Sequence, residues 1–142
     1  MSKRFRFDDS GDSDELQALF GTAIPRGFPV MAHTGSAGPA KLAVRYGARS
    51  LEHGYALDEE VLGMMKEAGT YFVPTLSMSQ LSAALAFDKY EKAYLDDGTD
   101  PITPQIQQKA LGIAERARWG FQQAHRMGIP VACGSDMNRM AE

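Results

Sequence analysis

Gly47-Ala-Arg-Ser-Leu-Glu-His53, running on into Gly54, is the stretch whose reading decides the fold. A glycine suited to the left-handed turn after a helix is followed by five residues of mostly strand character and then by a histidine. The spacing recurs. Gly27 leads through Phe-Pro-Val-Met-Ala to His33, and Gly69 through Thr-Tyr-Phe-Val-Pro to Thr75. Gly128 leads through Ile-Pro-Val-Ala-Cys to Gly134, with Asp136 two residues further on. Apolar stretches of this kind suit buried parallel strands. The chain therefore reads as four helix-glycine-strand units, each bringing a small or polar group to a strand's C-terminal end. That is where α/β barrels and open α/β sheets place their chemistry.

Working outward, residues 1–12 are polar and acidic and are expected to form an N-terminal loop. Asp12 or Ser13 can cap a first helix, with Asp14 and Glu15 at the positive end of its dipole. Leu16, Leu19, Phe20, Ala23 and Ile24 follow with helical spacing and form its apolar face. Phe28 to Ala32 is the first predicted strand, with Pro29 tolerable near its start. Pro39 suits the first turn of a helix reaching Tyr46. Arg49 to Glu52 is the second predicted strand, ending at His53. Asp58 caps the next helix, with Val61, Leu62, Met65 and Ala68 inward, and Tyr71 to Pro74 is the third strand.

The spacing then changes, since about 53 residues separate Thr75 from Gly128. Leu81 to Leu95 is predicted helical, Asp96 to Pro104 a turn-rich break, and Ile106 to Arg126 a long helix. The additional helix reads either as an insertion over the strand ends, where such folds build substrate lids, or as a surface excursion without a role. Alternating strands and helices call for a parallel sheet with right-handed crossovers.

At 142 residues and 44% hydrophobic, the chain has one domain's worth of core. A net charge of −3 gives no basic footprint, so neither nucleic acid nor an anionic membrane is an expected partner. No apolar run approaches the roughly 20 residues of a membrane span. The basic start, Met1 to Phe7, has no apolar stretch after it and does not read as a secretory leader. A single cysteine, Cys133, rules out an intrachain disulfide and suits a reducing, cytoplasmic setting.

His33, His53 and Asp136 form the candidate constellation. Two neutral imidazoles and a carboxylate suit Zn, Mn, Fe or Co, provided the strand ends face one pocket. The competing reading is that strand-end histidines only hydrogen-bond loop backbone. His125, one turn from a helix end beside Arg126, is expected to satisfy the dipole or solvent. Glu52 alternates to the face opposite His53, where it either orients a neighbour or is a solvated carboxylate. Cys133, inside an apolar strand with no basic neighbour in sequence, reads as small core filling. Phosphate-binding glycine loops, G-x-S-x-G, H-E-x-x-H and C-x-x-C are absent from the sequence.

Pro29-Val-Met-Ala-His33, Ser50-Leu-Glu-His-Gly54, Val73-Pro-Thr-Leu76 and Gly128-Ile-Pro-Val-Ala-Cys-Gly-Ser-Asp136 stand in this order. The pattern resembles the amidohydrolase superfamily, nearest its imidazolonepropionase-like and prolidase-like enzymes, from about Ser13 onward. The resemblance implies that residues 13–142 are the second half of a (β/α)8 TIM barrel, strands 5 to 8 with a helical insertion. It makes His33 and His53 metal ligands, and Asp136 a ligand and proton-transfer group together. The implied function is hydrolysis of a C–N bond in a small amide, dipeptide or cyclic amide by metal-bound hydroxide. The implied cofactor is a divalent metal, Zn first, as one or two ions in the complete enzyme.

The family's His-x-His pair and bridging lysine have no counterpart in this sequence. The chain is thus a fragment of a longer enzyme, a broken relic or a half-barrel that pairs with another chain, and the first is preferred. Either a homo-oligomer or the N-terminal half of the barrel is the expected protein partner. Two alternatives remain: a one-metal, deaminase-like enzyme, and a non-catalytic half-barrel that binds metal weakly and self-associates.

Overall fold

The computed structural model describes residues 13–77, 79 and 104–136. Helix α1 spans Ser13–Ala23, strand β1 Met31–Thr34, helix α2 Ala37–Arg45 and strand β2 Ser50–His53. Helix α3 spans Glu59–Ala68, strand β3 Tyr71–Val73 and helix α4 Pro104–Arg126. The expected loop over residues 1–12 and helix over Leu81 to Leu95 lie outside the described residues.

The glycine reading holds at all four positions. Gly27, Gly47, Gly69 and Gly128 have φ of 80°, 90°, 66° and 72°, a region costly for a residue with a Cβ. Each turns the chain from a helix toward the next strand. At Gly69 the amide closes back on Lys66 and Met65 carbonyls, satisfying helix-end acceptors.

The strands are parallel and lie in sequence order, β1-β2-β3, with Met31 opposite Ser50 and Leu51 opposite Phe72. The fourth unit continues the order beside β3. Phe72 donates to the Pro130 carbonyl at 2.8 Å and Ala132 donates to the Phe72 carbonyl at 2.9 Å. It pairs as a single bridge at Val131, however, and not as the full strand expected from Ile129 to Cys133. Pro130 has no N–H to extend the ladder. Cys133 is consequently exposed and is not core filling.

β1 begins later than the predicted Phe28. The amide of Phe28 is spent on the Ala23 carbonyl at 3.1 Å, closing the turn after the 3-10 segment Ile24–Arg26. Sheet pairing starts only at Val30, whose carbonyl accepts from Arg49 at 2.8 Å. Phe28 is left 65% exposed.

Among the described residues, one core holds the four helices against one face of the sheet. Leu16 and Phe20 come from α1, Ala40, Ala43 and Val44 from α2, Val61, Leu62 and Met65 from α3, and Ala124 from α4. They pack on Ala32, Leu51 and Phe72. The apolar face of α1 is narrower than predicted, because Leu19 and Ile24 are exposed, and Ala68 of α3 is exposed as well. α4 approaches closely because Ala117, Gly120 and Ala124, spaced along one side, are all buried. Among the described residues the strand order does not reverse and the helices lie on one face, as in a singly wound α/β sheet. Its other face carries Met31, 72% exposed, His33 and Tyr71.

Asp58 caps α3 as expected, accepting from the Val61 amide at 2.8 Å. That bond, followed by Lys41, holds its carboxyl below the ordinary carboxylate value. The Lys41 ammonium stands 2.6 Å from Glu60 and 2.9 Å from Asp58, tying α2 to the start of α3. Among the described residues no helix is long and apolar enough to cross a membrane.

Candidate active site

The strand ends carry the polar groups. Among the described residues, the non-glycine positions with positive φ are His53 at 69°, Thr75 at 44° and Asp136 at 48°. All three lie at or just past the C-terminal end of a sheet element. A left-handed residue with a Cβ costs about 1–2 kcal/mol, and such strain gathers at functional sites. At His53 the turn carries the ring out of strict strand alternation and against His33, with ring centroids 4.4 Å apart in an edge-to-face contact.

His53 is 6% exposed. Its Nδ1 lies 2.8 Å from Thr75 Oγ1 and 3.9 Å from Asp136 Oδ2. Its other flank stacks on Tyr55, with centroids 5.3 Å apart. Burial pushes the imidazole below its ordinary value of 6.5, and His33 adds to this, while Asp136 and Glu52 oppose it. His53 is therefore a neutral ring at pH 7. The Tyr55 hydroxyl is pushed up, chiefly by burial, against a lowering hydrogen bond with Thr75.

Glu52 accepts the Ser50 hydroxyl at 2.6 Å. It pairs in register with His33, so the turn at His53 removes the strict alternation expected between His53 and Glu52. Asp136 is brought in by close approach. A Cβ on Gly134 would lie 2.6 Å from Val73 Cγ1, so only glycine lets the chain pass the end of β3. His125 lies apart in the last turn of α4, stacked on Phe121.

The structure thus joins His33 to His53 and sets Asp136 beside them, with its side chain 46% exposed. The donor chemistry fits a divalent metal: two touching imidazoles, one of them held neutral, next to a carboxylate. Among the described residues, though, no three such side chains converge on one point as a finished ligand set. Thr75 and Tyr55 were not expected at the site. Thr75 did stand at the strand-end position of its unit, whereas nothing in the sequence distinguished Tyr55.

No family model matches the chain. It is 26% identical over 123 residues to ochratoxinase from Aspergillus niger, covering 87% of this chain and 23% of that protein. It is 41% identical over 63 residues to imidazolonepropionase from Paraburkholderia phymatum, covering 42% of this chain and 16% of that protein. A Xaa-Pro dipeptidase structure with bound methionine in its active site superposes at a TM-score of 0.67 and 30% identity, over 88% of this chain and 28% of that one. The chain fits the amidohydrolase superfamily, on its imidazolonepropionase- and prolidase-like side. It spans under a third of the length of each of these relatives.

The lowered imidazole has a consequence for stability. On acidification the unfolded chain takes up a proton at the ordinary histidine value while folded His53 resists. His53 therefore costs nothing above about pH 6.5, and stability is lost as pH falls from there toward the folded value. The loss is about 1.4 kcal/mol per unit of lowering. Urea midpoints at pH 8 and pH 5.5 should differ more in the parent than in His53→Gln. Equal differences in the two proteins would remove His53 as the cause.

Proposed function

We propose that the chain forms the later half, strands five to eight, of the (β/α)8 barrel of a metal-dependent amidohydrolase. The substrate is a small amide, dipeptide or cyclic amide whose C–N bond is hydrolysed. The observation that carries this is the contact of His33 with His53 at the strand ends, with Asp136 3.9 Å from the same ring. Three further features support it: the sheet that never reverses order, its open face, and the hydrolase names of the relatives. The dipeptidase likeness places Xaa-Pro dipeptides first among substrates to try. The cytoplasm suits an exposed single thiol at Cys133.

His33 and His53 would hold the metal, Zn first, with Asp136 as a further ligand. A bound divalent metal supplies Lewis acidity toward an amide carbonyl and acidifies water. The chain's own groups do the rest. Neutral His53 offers a ring lone pair, and Thr75 and Tyr55 fix the ring from two sides. The half-exposed Asp136 carboxylate is open to water and substrate. It takes a proton from the attacking water at a carboxylate oxygen and hands it to the leaving nitrogen.

Zn titration tests the reading. Weak binding to the 142-residue chain is expected to fall a further tenfold or more in His33→Ala and in His53→Ala, since even supporting contacts are worth about 10- to 100-fold. Hydrolysis of Xaa-Pro dipeptides, measured on the chain joined by a first barrel half, should fall with the metal. Unchanged Zn affinity in both variants would remove the metal site.

The open sheet face favours a second reading beside this one, a half-barrel that self-associates. Met31 and Tyr71 lie exposed on that face, at a sheet edge and over β3, and uncovered strands recruit further chains. Size-exclusion chromatography is expected to show a species larger than the 15.5 kDa monomer. A sharp monomer peak would dismiss self-association.

A further inference from the structure

Buried polar side chains must find partners, and His53 has found an uncommon one. Its Nδ1 meets a threonine hydroxyl at 2.8 Å with both groups buried. A hydroxyl has one proton to give and two lone pairs, and a neutral imidazole has one N–H and one bare nitrogen. Two arrangements are open. Either His53 donates from Nδ1 and leaves Nε2 bare, or Thr75 donates into Nδ1 and Nε2 carries the proton.

One observation chooses between them. Asp136 Oδ2 stands 3.9 Å from the same Nδ1. A negative oxygen at that distance attracts a proton on Nδ1 and repels a lone pair there. The consistent arrangement has His53 donating Nδ1–H to Thr75 Oγ1. The backbone supports the assignment. Thr75 is held at φ 44°, an outlier for a β-branched residue, so the surroundings impose its position.

We propose that Thr75 is the positioning residue of this site, taking the Nδ1–H of His53 and so leaving Nε2 as the ring's free lone pair. The ring tautomer is a property of the metal-free chain. Only its consequence for metal binding rests on the amidohydrolase reading, in which Thr75 is the supporting contact that orients a ligating imidazole.

The test is nitrogen-15 NMR of the imidazoles in the full 142-residue chain without metal, at pH 8. The chain has three histidines, so His33→Gln and His125→Gln assign the spectrum. The parent should show His53 protonated on Nδ1. Thr75→Val removes the hydroxyl at nearly constant shape, and the tautomer ratio should move about fivefold or more toward Nε2–H, the worth of one hydrogen bond. Thr75→Ser should restore the parent ratio. Zn affinity should fall about 10- to 100-fold in Thr75→Val and recover in Thr75→Ser.

A parent His53 protonated on Nε2 overturns the proposal, and this holds even if Thr75→Val fails to fold. So does a folded Thr75→Val with the parent ratio. A parent protonated on Nδ1 that takes up no Zn upholds Thr75's role and overturns the metal-site reading instead.

Discussion

On the proposed amidohydrolase reading, Asp136→Asn is expected to lower turnover of the chain joined to a first barrel half about 10²- to 10⁴-fold while metal content stays near normal. The amide is almost the size of the carboxylate and keeps an oxygen able to coordinate, but it cannot accept a proton at neutral pH. General acid–base work is worth about 10²- to 10⁴-fold, and a group acting first as base and then as acid belongs near the upper end. The geometry suits that duty. Asp136 is half-exposed and stands 3.9 Å from the nitrogen of a buried, neutral His53, so it is open to water while its neighbour is not. Metal content and kcat must be measured on the same preparation. Near-normal turnover would remove the proton-transfer role. Joint loss of metal and turnover would make Asp136 a ligand and leave no separate loss to assign to proton transfer.

Phe72→Ala is expected to cost about 3–5 kcal/mol, the range for emptying a buried aromatic site. Phe72 is fully buried at the centre of the sheet, opposite Leu51 on one side and bridged to Val131 on the other. Its ring also fills the space beside Gly54, where an added Cβ would lie only 2.8 Å from Phe72 Cε2. The change opens a cavity between the helices and the strands that neither can close. Against a typical domain stability of about 5–15 kcal/mol, this is a large share. The fourth unit, and with it Asp136, is tied to the sheet by the two backbone bonds of Phe72 and by the Ser77 hydroxyl on the Ser135 carbonyl, so loosening at Phe72 should reach the site. Urea unfolding gives the number, with Phe28→Ala as control, expected within about 0.5 kcal/mol because that ring is exposed. A loss below about 1 kcal/mol for Phe72→Ala would mean that the core does not depend on this ring.

Local chemistry was legible in the sequence wherever the cause was local. Left-handed glycines at 27, 47, 69 and 128 follow from the missing Cβ, and the Asp58 cap from a carboxylate within reach of the Val61 amide. That His33 and His53 both stand at the C-terminal ends of neighbouring parallel strands also followed from the equal spacing. The register pairs His33 with Glu52, however, and the ring contact depends on the left-handed turn at His53. Strand limits did not follow, since an apolar run does not show which amides are already spent. Phe28 closes a turn and Pro130 has no amide at all, so pairing starts late in one unit and shrinks to a bridge in the other. The exposure of Cys133 comes from that shortened pairing. Thr75 reaches His53 only through tertiary packing, across 22 residues of chain, while Tyr55, two residues on, stacks on it because the left-handed turn folds the chain back. Sequence alone therefore determined which strand ends carry the donors. Which nitrogen, hydroxyl and carboxylate face one another was decided by backbone strain and burial, which exist only once the sheet and helices have packed.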